Sequence, residues 1–354
     1  SNNAWGGIAI YVSKPADGNR GSDNINITNC TLGEINKLYV QDESGLTSSN
    51  IHTPFQWTVK NPVSYSGYTF YQPDLTNAVT FATDIPNADK SYIQNTLDSS
   101  FYVGNGMSIN TAINAASDGN TINVGAGLYA ENVIINKSLI LNGAMANVDP
   151  TVSSTRTDES KESVINASGV GSGVIIQGTN VSATLNGFTI KNTGDNQAGV
   201  IAGAFDTAFG NPPANANILY NIVTGGSYKN GIAIENGTTG EIKYNKVLGA
   251  EINDGVWSGS GIIISGSSYV NVSNNLVSNN EIGIAVSGYA IWKNAPSQNN
   301  LIQGNKVYGN TYGISAEANS INTRIINNDI RDTNGASDST GVQVYGYNLG
   351  WEDS

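Results

Sequence analysis

The sequence is poor in cysteine and histidine, and each shortage excludes a class of protein. Of its 354 residues, one is a cysteine, Cys30, and one is a histidine, His52. A single cysteine cannot form an internal disulfide, so we expect Cys30 to be a small, buried apolar residue. A single histidine cannot build a multi-histidine metal site. Disulfide-stabilised scaffolds and multi-histidine metalloenzymes are therefore excluded.

Charge is also scarce, and long apolar runs are missing. Only 12% of the residues are charged, and 16 Lys and Arg against 28 Asp and Glu give a net charge of −12. This acidic balance argues against nucleic acid or anionic lipid as a partner. No apolar run reaches the ~18 residues of a membrane span, so we expect no membrane insertion.

The chain opens inside a strand-like pattern, which suggests a piece of a longer protein. We expect that protein to be a multidomain surface protein, secreted or held at the cell surface. Its secretion signal is not present in this fragment.

What the sequence does contain is glycine, asparagine, serine and threonine around short aliphatic runs. These residues form turns and compete with helix by bonding their own backbone, so we expect strands. A phrase of Gly, aliphatic, any residue and small apolar returns every 22 to 32 residues from Gly173 onward. Its glycines are Gly7, Gly173, Gly199, Gly231, Gly261, Gly283, Gly313 and Gly341.

A second phrase follows the first, with an asparagine at a fixed place between aliphatic residues. These asparagines are Asn221, Asn245, Asn275, Asn305 and Asn328, and Phe188 and Cys30 occupy equivalent places. A period of this length with two or three strand-like phrases is typical of a coil of a parallel β-helix. Equivalent residues then stack about 4.8 Å apart, so the five asparagines are predicted to form one hydrogen-bonded ladder.

A short helix is predicted before the first coil. Ile109, Ala112, Ile113 and Ala116 share one helical face. Ser108 can cap the start of this helix and Gly119 can end it. We expect the helix to cap the β-helix by covering strand edges that would otherwise pair with other molecules.

The order of this helix, "DGNTINV", "GLYAENV" and "KSLILNG" resembles the start of right-handed parallel β-helix proteins. These include pectin methylesterases, the NosD-like periplasmic family and other pectin-lyase-like bacterial surface proteins. The resemblance covers roughly residues 101–354. It implies an all-β fold, a right-handed parallel β-helix with a short N-terminal capping helix.

One motif within this stretch, Gly127-x-Tyr129-x-Glu131, resembles the first motif of pectin methylesterases. That family also needs two aspartates, an arginine and glutamines in further motifs, and no stretch like "DFIFG" or "LGRPW" is present. We therefore expect Tyr129 and Glu131 to shape a turn, since a fold does not by itself carry an activity.

The domain organisation is predicted as three parts. Residues 1–83 contain β-helical coils and a segment rich in aromatics and proline, which we interpret as a cap or connector. Residues 84–100 are a linker, and residues 101–354 form the main β-helix. The N-terminal strands either belong to a separate β-helix or complete the main one. The charged stretch Thr155–Ser163 is expected to be a solvated loop.

Long insertions between the repeated phrases carry the candidate site. Insertions on a rigid scaffold are the usual place for binding, and three of them follow the glycine phrase at corresponding turns, residues 11–24, 203–216 and 287–300. A fourth interrupts the other turn. The aromatic candidates for carbohydrate binding are Phe205, Phe209, Trp257, Tyr289 and Trp292.

Aromatic rings beside carboxylates suit a sugar, because the ring meets the apolar face of the sugar while carboxylates accept bonds from its hydroxyls. The leading hypothesis is therefore a non-catalytic polysaccharide-binding or adhesion module without a metal or other cofactor. The alternatives are a lyase or glycosidase on the same fold, and a purely structural repeat. An enzyme would draw its catalytic residues from Asp206, Glu251, Asp254 and Lys293, with Lys293 as the base of a lyase. Any calcium would be held by the carboxylates.

Overall fold

The computed structural model describes strands within residues 8–94 and most of the chain from residue 100 onward. The described segments are 8–12, 26–27, 38–42, 55–59, 63–65, 68–70, 79–81, 90–94, 100–167, 171–191, 198–203, 213–224, 230–250, 259–288, 296–317, 319–331 and 339–344. The chain divides into two compact units, residues 1–129 and 130–354. The division at residues 83 and 100 expected from sequence stays a prediction.

The first unit combines parallel and antiparallel strands with one helix. Strands β1, β3 and β7 form a parallel sheet, while β4, β5 and β6 form an antiparallel meander. The meander lies in the segment that lacks coil phrases. The elements of this unit are β1 (Ile8–Val12), β2 (Asn26–Ile27), β3 (Leu38–Asp42), β4 (Phe55–Val59), β5 (Val63–Tyr65), β6 (Tyr68–Phe70), β7 (Val79–Phe81), β8 (Lys90–Gln94), β9 (Phe101–Val103), α1 (Ile109–Ala115), β10 (Thr121–Val124) and β11 (Gly127–Tyr129).

The predicted helix is α1. Its four predicted core residues are all buried, and the Ser108 Oγ accepts a hydrogen bond from the Thr111 N–H at 3.2 Å. The expected end at Gly119 is wrong, because Ala116 already has an extended backbone and stops the helix after Ala115. The helix packs beside β9 and β10 within the first unit. Its capping of the main β-helix stays a prediction.

The second unit repeats three parallel strands per coil, and its strands stack into three sheets. Sheet I contains β12 (Val133–Ile135), β15 (Val174–Ile176), β18 (Ala198–Ala202), β21 (Asn230–Glu235), β24 (Ser260–Ser265), β27 (Ile282–Ser287), β31 (Tyr312–Ala316) and β35 (Thr340–Val344). Sheet II contains β13 (Ile140–Asn142), β16 (Ser182–Asn186), β19 (Asn215–Leu219), β22 (Thr239–Lys243), β25 (Val270–Ser273), β29 (Leu301–Gln303) and β33 (Arg324–Ile326).

Sheet III follows sheet II in every coil and leads back to sheet I. It contains β14 (Ser163–Asn166), β17 (Phe188–Lys191), β20 (Ile222–Thr224), β23 (Lys246–Leu248), β26 (Leu276–Ser278), β30 (Lys306–Tyr308) and β34 (Asp329–Arg331). Two short strands, β28 (Ser297–Gln298) and β32 (Ser320–Ile321), pair with each other. The predicted right-handed parallel β-helix is therefore confirmed.

The core consists of aliphatic columns, because residues in register stack from coil to coil. In sheet I, one inward column includes Ile234, Ile264 and Val286, and the first two are 1% and 0% exposed, as predicted. Sterics explain why the repeated phrase has a glycine. A Cβ on Gly231 would lie 2.3 Å from the Val247 side chain and 2.5 Å from the Gly261 carbonyl oxygen. Only glycine lets sheets III and I approach this closely.

The asparagine ladder is confirmed at the turn between sheets II and III. Each asparagine Nδ2 donates to the Oδ1 of the next, at 3.1, 3.0, 2.9 and 2.9 Å along the series. The ladder members are Asn221, Asn245, Asn275, Asn305 and Asn328. Phe188 is the equivalent residue, and its backbone N–H donates to the Asn221 Oδ1.

The charged stretch before β14 corrects one expectation in part. Residues 157–161 are exposed, as expected of a solvated loop, but Arg156 and Glu162 on either side form an ion pair whose side chains are 0% and 3% exposed. The Arg156 guanidinium also donates to the backbone oxygen of Tyr220, which lies two coils further along. Thr189 Oγ1 donates to Glu162 Oε2 at 3.1 Å. These bonds satisfy the buried charges and fix the segment against the coils.

Candidate functional site

The aromatic and charged residues selected from sequence lie outside the described residues. They fall in the segments 204–212, 251–258 and 289–295. The residues concerned are Phe205, Asp206, Phe209, Glu251, Asp254, Trp257, Tyr289, Trp292 and Lys293.

The strands that flank these segments fix where each insertion joins the scaffold. Segment 204–212 follows β18, and segment 289–295 follows β27. Strands β18, β21, β24 and β27 are consecutive neighbours in sheet I, so the two insertions leave the same edge of the sheet. Three inter-strand spacings separate their starting points by about 14 Å. Segment 251–258 joins at the opposite edge, before β24.

The turns from sheet I to sheet II, here called the I–II corner, present an exposed aromatic ring between these two insertions. Tyr269 follows β24 and is 69% exposed. Its backbone has φ +58°, a left-handed conformation that is unusual for a bulky residue. The ring is therefore held outward at the corner, one coil before segment 289–295.

Amide and hydroxyl groups surround Tyr269 along the corner. Strand register places Thr239 on one side of Tyr269 and Asn299 on the other. Asn215 Nδ2 donates to Thr239 Oγ1 at 2.9 Å, which continues the row by one more coil. The corner thus displays one large ring in a row of neutral hydrogen-bonding groups. Tyr269 was not selected from sequence, because its turn is short. The signal that could have identified it is an aromatic residue in a turn between two repeated phrases.

A column of mostly polar residues lies at the end of the sheet I strands, beside this corner. Strand register places one residue of the column in each successive coil: Gly203, Glu235, Ser265, Ser287 and Glu317. Glu235 is 2% exposed. The Ser315 Oγ donates to Glu317 Oε1 at 3.0 Å. Burial raises the pKa of the Glu317 carboxyl, and the hydrogen bonds from Ser315 and Ser287 oppose the shift. Neither carboxylate was selected from sequence.

The spacing of these two carboxylates limits their chemistry. Glu235 and Glu317 lie three strands apart in the column, which places their Cα atoms about 14 Å apart. Glycosidases hold their two carboxyl groups roughly 5–9.5 Å apart. The two glutamates are therefore poorly placed to serve as a glycosidase pair by themselves, although the raised pKa of Glu317 suits a general acid.

The motif around Tyr129 is structural. The Tyr129 ring is 2% exposed, and its hydroxyl donates to the backbone oxygen of Gly125 at 2.8 Å and lies 3.3 Å from that of Val103. Tyr129 thus holds the turn between β10 and β11, as predicted. Glu131, the last residue of the motif, is half-buried.

The described residues contain neither a metal-binding cluster nor a membrane-spanning helix. No group of three or more His, Cys, Asp and Glu in the described segments is arranged to hold a metal ion. Within that same part of the chain, no helix has the length and apolarity needed to cross a membrane.

A match to a protein family agrees with the architecture. The family described as "Right handed beta helix region" matches residues 172–349. A solved structure, that of a PL6 family alginate lyase, is 11% identical with a TM-score of 0.29. That match covers 97% of this chain and 56% of the lyase, so the chain spans little more than half of the lyase's length. No curated protein matches the chain.

Proposed function

We propose a function from the premise that this chain belongs to the right-handed β-helix family. The chain is a non-catalytic module of a secreted or cell-surface protein, and it binds polysaccharide or mediates adhesion through the I–II corner. No cofactor takes part. The observation that carries the proposal is the exposed Tyr269 ring, which lies at the corner from which segments 204–212 and 289–295 also depart.

The chemistry of this corner favours a sugar as the ligand. The face of a tyrosine ring accepts the apolar C–H face of a pyranose, and hydroxyl and amide side chains exchange hydrogen bonds with its hydroxyl groups. Thr239, Asn215 and Asn299 supply such groups beside Tyr269. The insertions that begin at this corner contain Phe205, Phe209, Tyr289 and Trp292. The insertion that precedes β24, at the opposite edge of sheet I, contains Trp257.

A repeating ligand also suits a repeating scaffold. Corner residues recur at about 4.8 Å per coil, so a linear polymer lying along the axis meets equivalent groups several times. Several weak contacts to one chain add up, which lets a shallow surface bind without a deep pocket.

Replacing Tyr269 by Asn tests the proposal directly. Asn occupies the equivalent left-handed position at Asn299 and Asn322, so the variant removes the ring without straining the turn. We expect polysaccharide affinity to fall by about 1–3 kcal/mol, roughly 5- to 140-fold, in affinity electrophoresis or calorimetry. Tyr308→Asn, on sheet III, is the matched control and should bind normally. Equal binding by Tyr269→Asn and the parent would remove the corner from the site.

A carbohydrate-active enzyme on the same fold is the second candidate, because Glu317 is a half-buried carboxyl with a raised pKa, one coil beyond the strand that leads into segment 289–295. A lyase or glycosidase would need further groups from Asp206, Glu251, Asp254 or Lys293, with calcium as an optional ligand of the carboxylates.

Carboxylate-to-amide variants separate the two candidates. An enzyme that uses Asp206 and Asp254 would lose nearly all turnover in Asp206→Asn or Asp254→Asn while it kept its binding. The binding module has no turnover to lose, so only modest changes in affinity are expected. Reducing-end and unsaturated-product assays on the parent protein decide between them, and any sustained product release would favour the enzyme.

A further inference from the structure

The turns from sheet II to sheet III, here called the II–III corner, bring two tyrosines together on neighbouring coils. Each turn places one residue in a left-handed conformation just before the ladder position. Tyr220 and Tyr244 occupy this place in successive coils, with φ +54° and +57°. The next coils have Asn274, Gly304 and Asn327 there. The tyrosine pair is therefore confined to two coils.

The two rings lie flat against each other. Their centroids are 4.9 Å apart and their planes differ by 5°. Both residues are half-buried, so each ring keeps a side toward solvent. The arrangement repeats the inter-strand spacing of the scaffold, because both side chains leave equivalent backbone positions.

The backbone beneath the pair is firmly held. The Tyr220 N–H donates to the Lys243 oxygen at 3.1 Å, and the adjoining Asn221 N–H donates to Asn245 Oδ1 at 2.9 Å. The buried Arg156 guanidinium donates to the Tyr220 carbonyl oxygen. The two Cα positions are thus fixed relative to each other, and ring contact persists as long as the coils are folded.

The surroundings of Tyr220 favour its neutral phenol. Burial, then the neighbouring Tyr244 and Asp149, raise the pKa of Tyr220. The raised pKa favours the protonated phenol of Tyr220 at neutral pH. The chemistry proposed for the stacked pair is one-electron oxidation of each phenol with loss of its proton to solvent.

We propose that Tyr220 and Tyr244 are a site of oxidative cross-linking, at which a peroxide and a peroxidase-type oxidant join the two rings as dityrosine. Each phenol gives up one electron and one proton, which leaves a radical with spin density at its ortho carbons. One bond forms between an ortho carbon of each ring, and each of these carbons passes its hydrogen to a phenolic oxygen as a proton. The peroxide takes up the two electrons and two protons and becomes two molecules of water.

The cross-link would join two coils at the surface of the solenoid. Coupling requires the rings to turn from face-to-face to edge-to-edge, which is compatible with two residues that are only half-buried. The bond would close a loop of the chain from Tyr220 to Tyr244, and closing a loop restricts the unfolded chain. A surface protein exposed to oxidants would gain a covalent brace at this corner. The inference stands independently of polysaccharide binding.

Dilute folded protein treated with a peroxidase and hydrogen peroxide tests this proposal. We expect dityrosine fluorescence in the monomer, and a linked pair of peptides that contain Tyr220 and Tyr244 and lack two hydrogen atoms. Tyr220→Phe and Tyr244→Phe preserve the ring stack but lack one phenol, and each should lose this product. Tyr269→Phe removes an exposed tyrosine at another corner and should retain it. The cross-linked monomer should melt at a higher temperature than the untreated protein.

The outcome can also go against the proposal. Dityrosine found only between molecules, or linked through other tyrosines at equal yield, would overturn it. The same is true if Tyr220→Phe and Tyr244→Phe form intramolecular dityrosine as efficiently as the parent. Oxidation of the urea-unfolded chain is the reference for random coupling, and the folded protein must exceed it in yield of the Tyr220–Tyr244 pair.

Discussion

The burial of a single residue in this solenoid depends on the side of the strand on which it lies. Ile264 points into the coil and is fully buried, while its neighbour Ile263 lies on the outer face of sheet I and is half-buried. Glu317, at the outer edge of the same sheet, keeps a carboxyl in a poorly solvated place. Alternation along a strand therefore decides whether a charge at a given position is tolerated.

Replacement of Ile264 by Asp should destabilise the protein by several kcal/mol, on the order of 3–5, because a charge without a partner would lie in an aliphatic column. Ile263→Asp is the matched control, one residue away on the same strand, and should cost much less. Urea unfolding of the two variants measures the difference. Similar midpoints for both would mean that β24 does not face inward as described.

Glu317 predicts a dependence of stability on pH. Its folded pKa is raised above the ordinary value of 4.5, so the folded state holds this proton more tightly than the unfolded chain. The stabilising contribution is full below the unfolded pKa and is lost as pH rises through the folded pKa. Glu317→Gln should therefore gain stability relative to the parent at about pH 7, and the gain should vanish below about pH 4.

Thermal melts of Glu317→Gln and the parent across this pH range test the assignment. Glu241→Gln, which alters an exposed carboxylate on sheet II paired with Lys243, is the control. A Glu317→Gln effect that is the same at every pH would exclude a burial-driven shift in the pKa of Glu317.

At the scale of elements, the asparagine ladder joins neighbouring coils through buried side chains. Asn275 illustrates its density of bonds. Its Oδ1 accepts from the backbone and side-chain nitrogens of Asn245, and its Nδ2 donates to Asn305 and to the Ile242 carbonyl oxygen. Removing one member leaves buried donors of its neighbours without acceptors, which is costlier than losing a surface bond.

Asn275→Ala should therefore lower the free energy of unfolding by about 2–4 kcal/mol. The matched control is Asn271→Ala on the outer face of the same coil, where the Asn271 Oδ1 has no hydrogen-bond partner. That change should be close to neutral. Denaturant unfolding of both variants provides the measurement, and equal losses would show that the ladder contributes little beyond ordinary asparagine burial.

Repetition explains which of these elements could be predicted from sequence. The same sequence pattern repeats in every coil, and stacking of the coils places the repeated residues in columns. This repetition made it possible to predict Ile234, Ile264 and the ladder asparagines. Arg156 and Tyr269 occur once, and local composition does not determine their environments. Arg156 stands in a charged string typical of solvated loops, yet its carbonyl partner belongs to Tyr220, 64 residues away.

The functional candidates were predictable in kind but incompletely in position. Insertions rich in aromatic residues interrupt the repeat visibly, which led to Trp292 and its neighbours. The register that places two insertions on one edge of sheet I comes from strand pairing, and the sequence contains it only indirectly. Glu235 and Glu317 escaped notice because a single glutamate after a strand is common, and only the structure shows that they share a column.

At the scale of the whole molecule, the second unit is a regular scaffold whose strands fix the positions at which the insertions begin and end. The I–II corner has buried members, since Asn300 Nδ2 donates to the Ser267 carbonyl oxygen at 3.0 Å, but its outward-facing position at Tyr269 is exposed. Such outward-facing positions can vary without loss of the fold, which is the usual separation between scaffold and site. Polysaccharide binding at this corner is the central claim about function.

The most direct measurement is a binding screen of the unmodified protein and the double variant Tyr269→Asn, Trp292→Ala against soluble and insoluble polysaccharides, with product release followed in parallel. We predict that the parent binds at least one polysaccharide without degrading it. The double variant should melt at the temperature of the parent and bind more weakly than either single variant. A parent protein that binds no polysaccharide would contradict the proposed function, and only a structural role would remain.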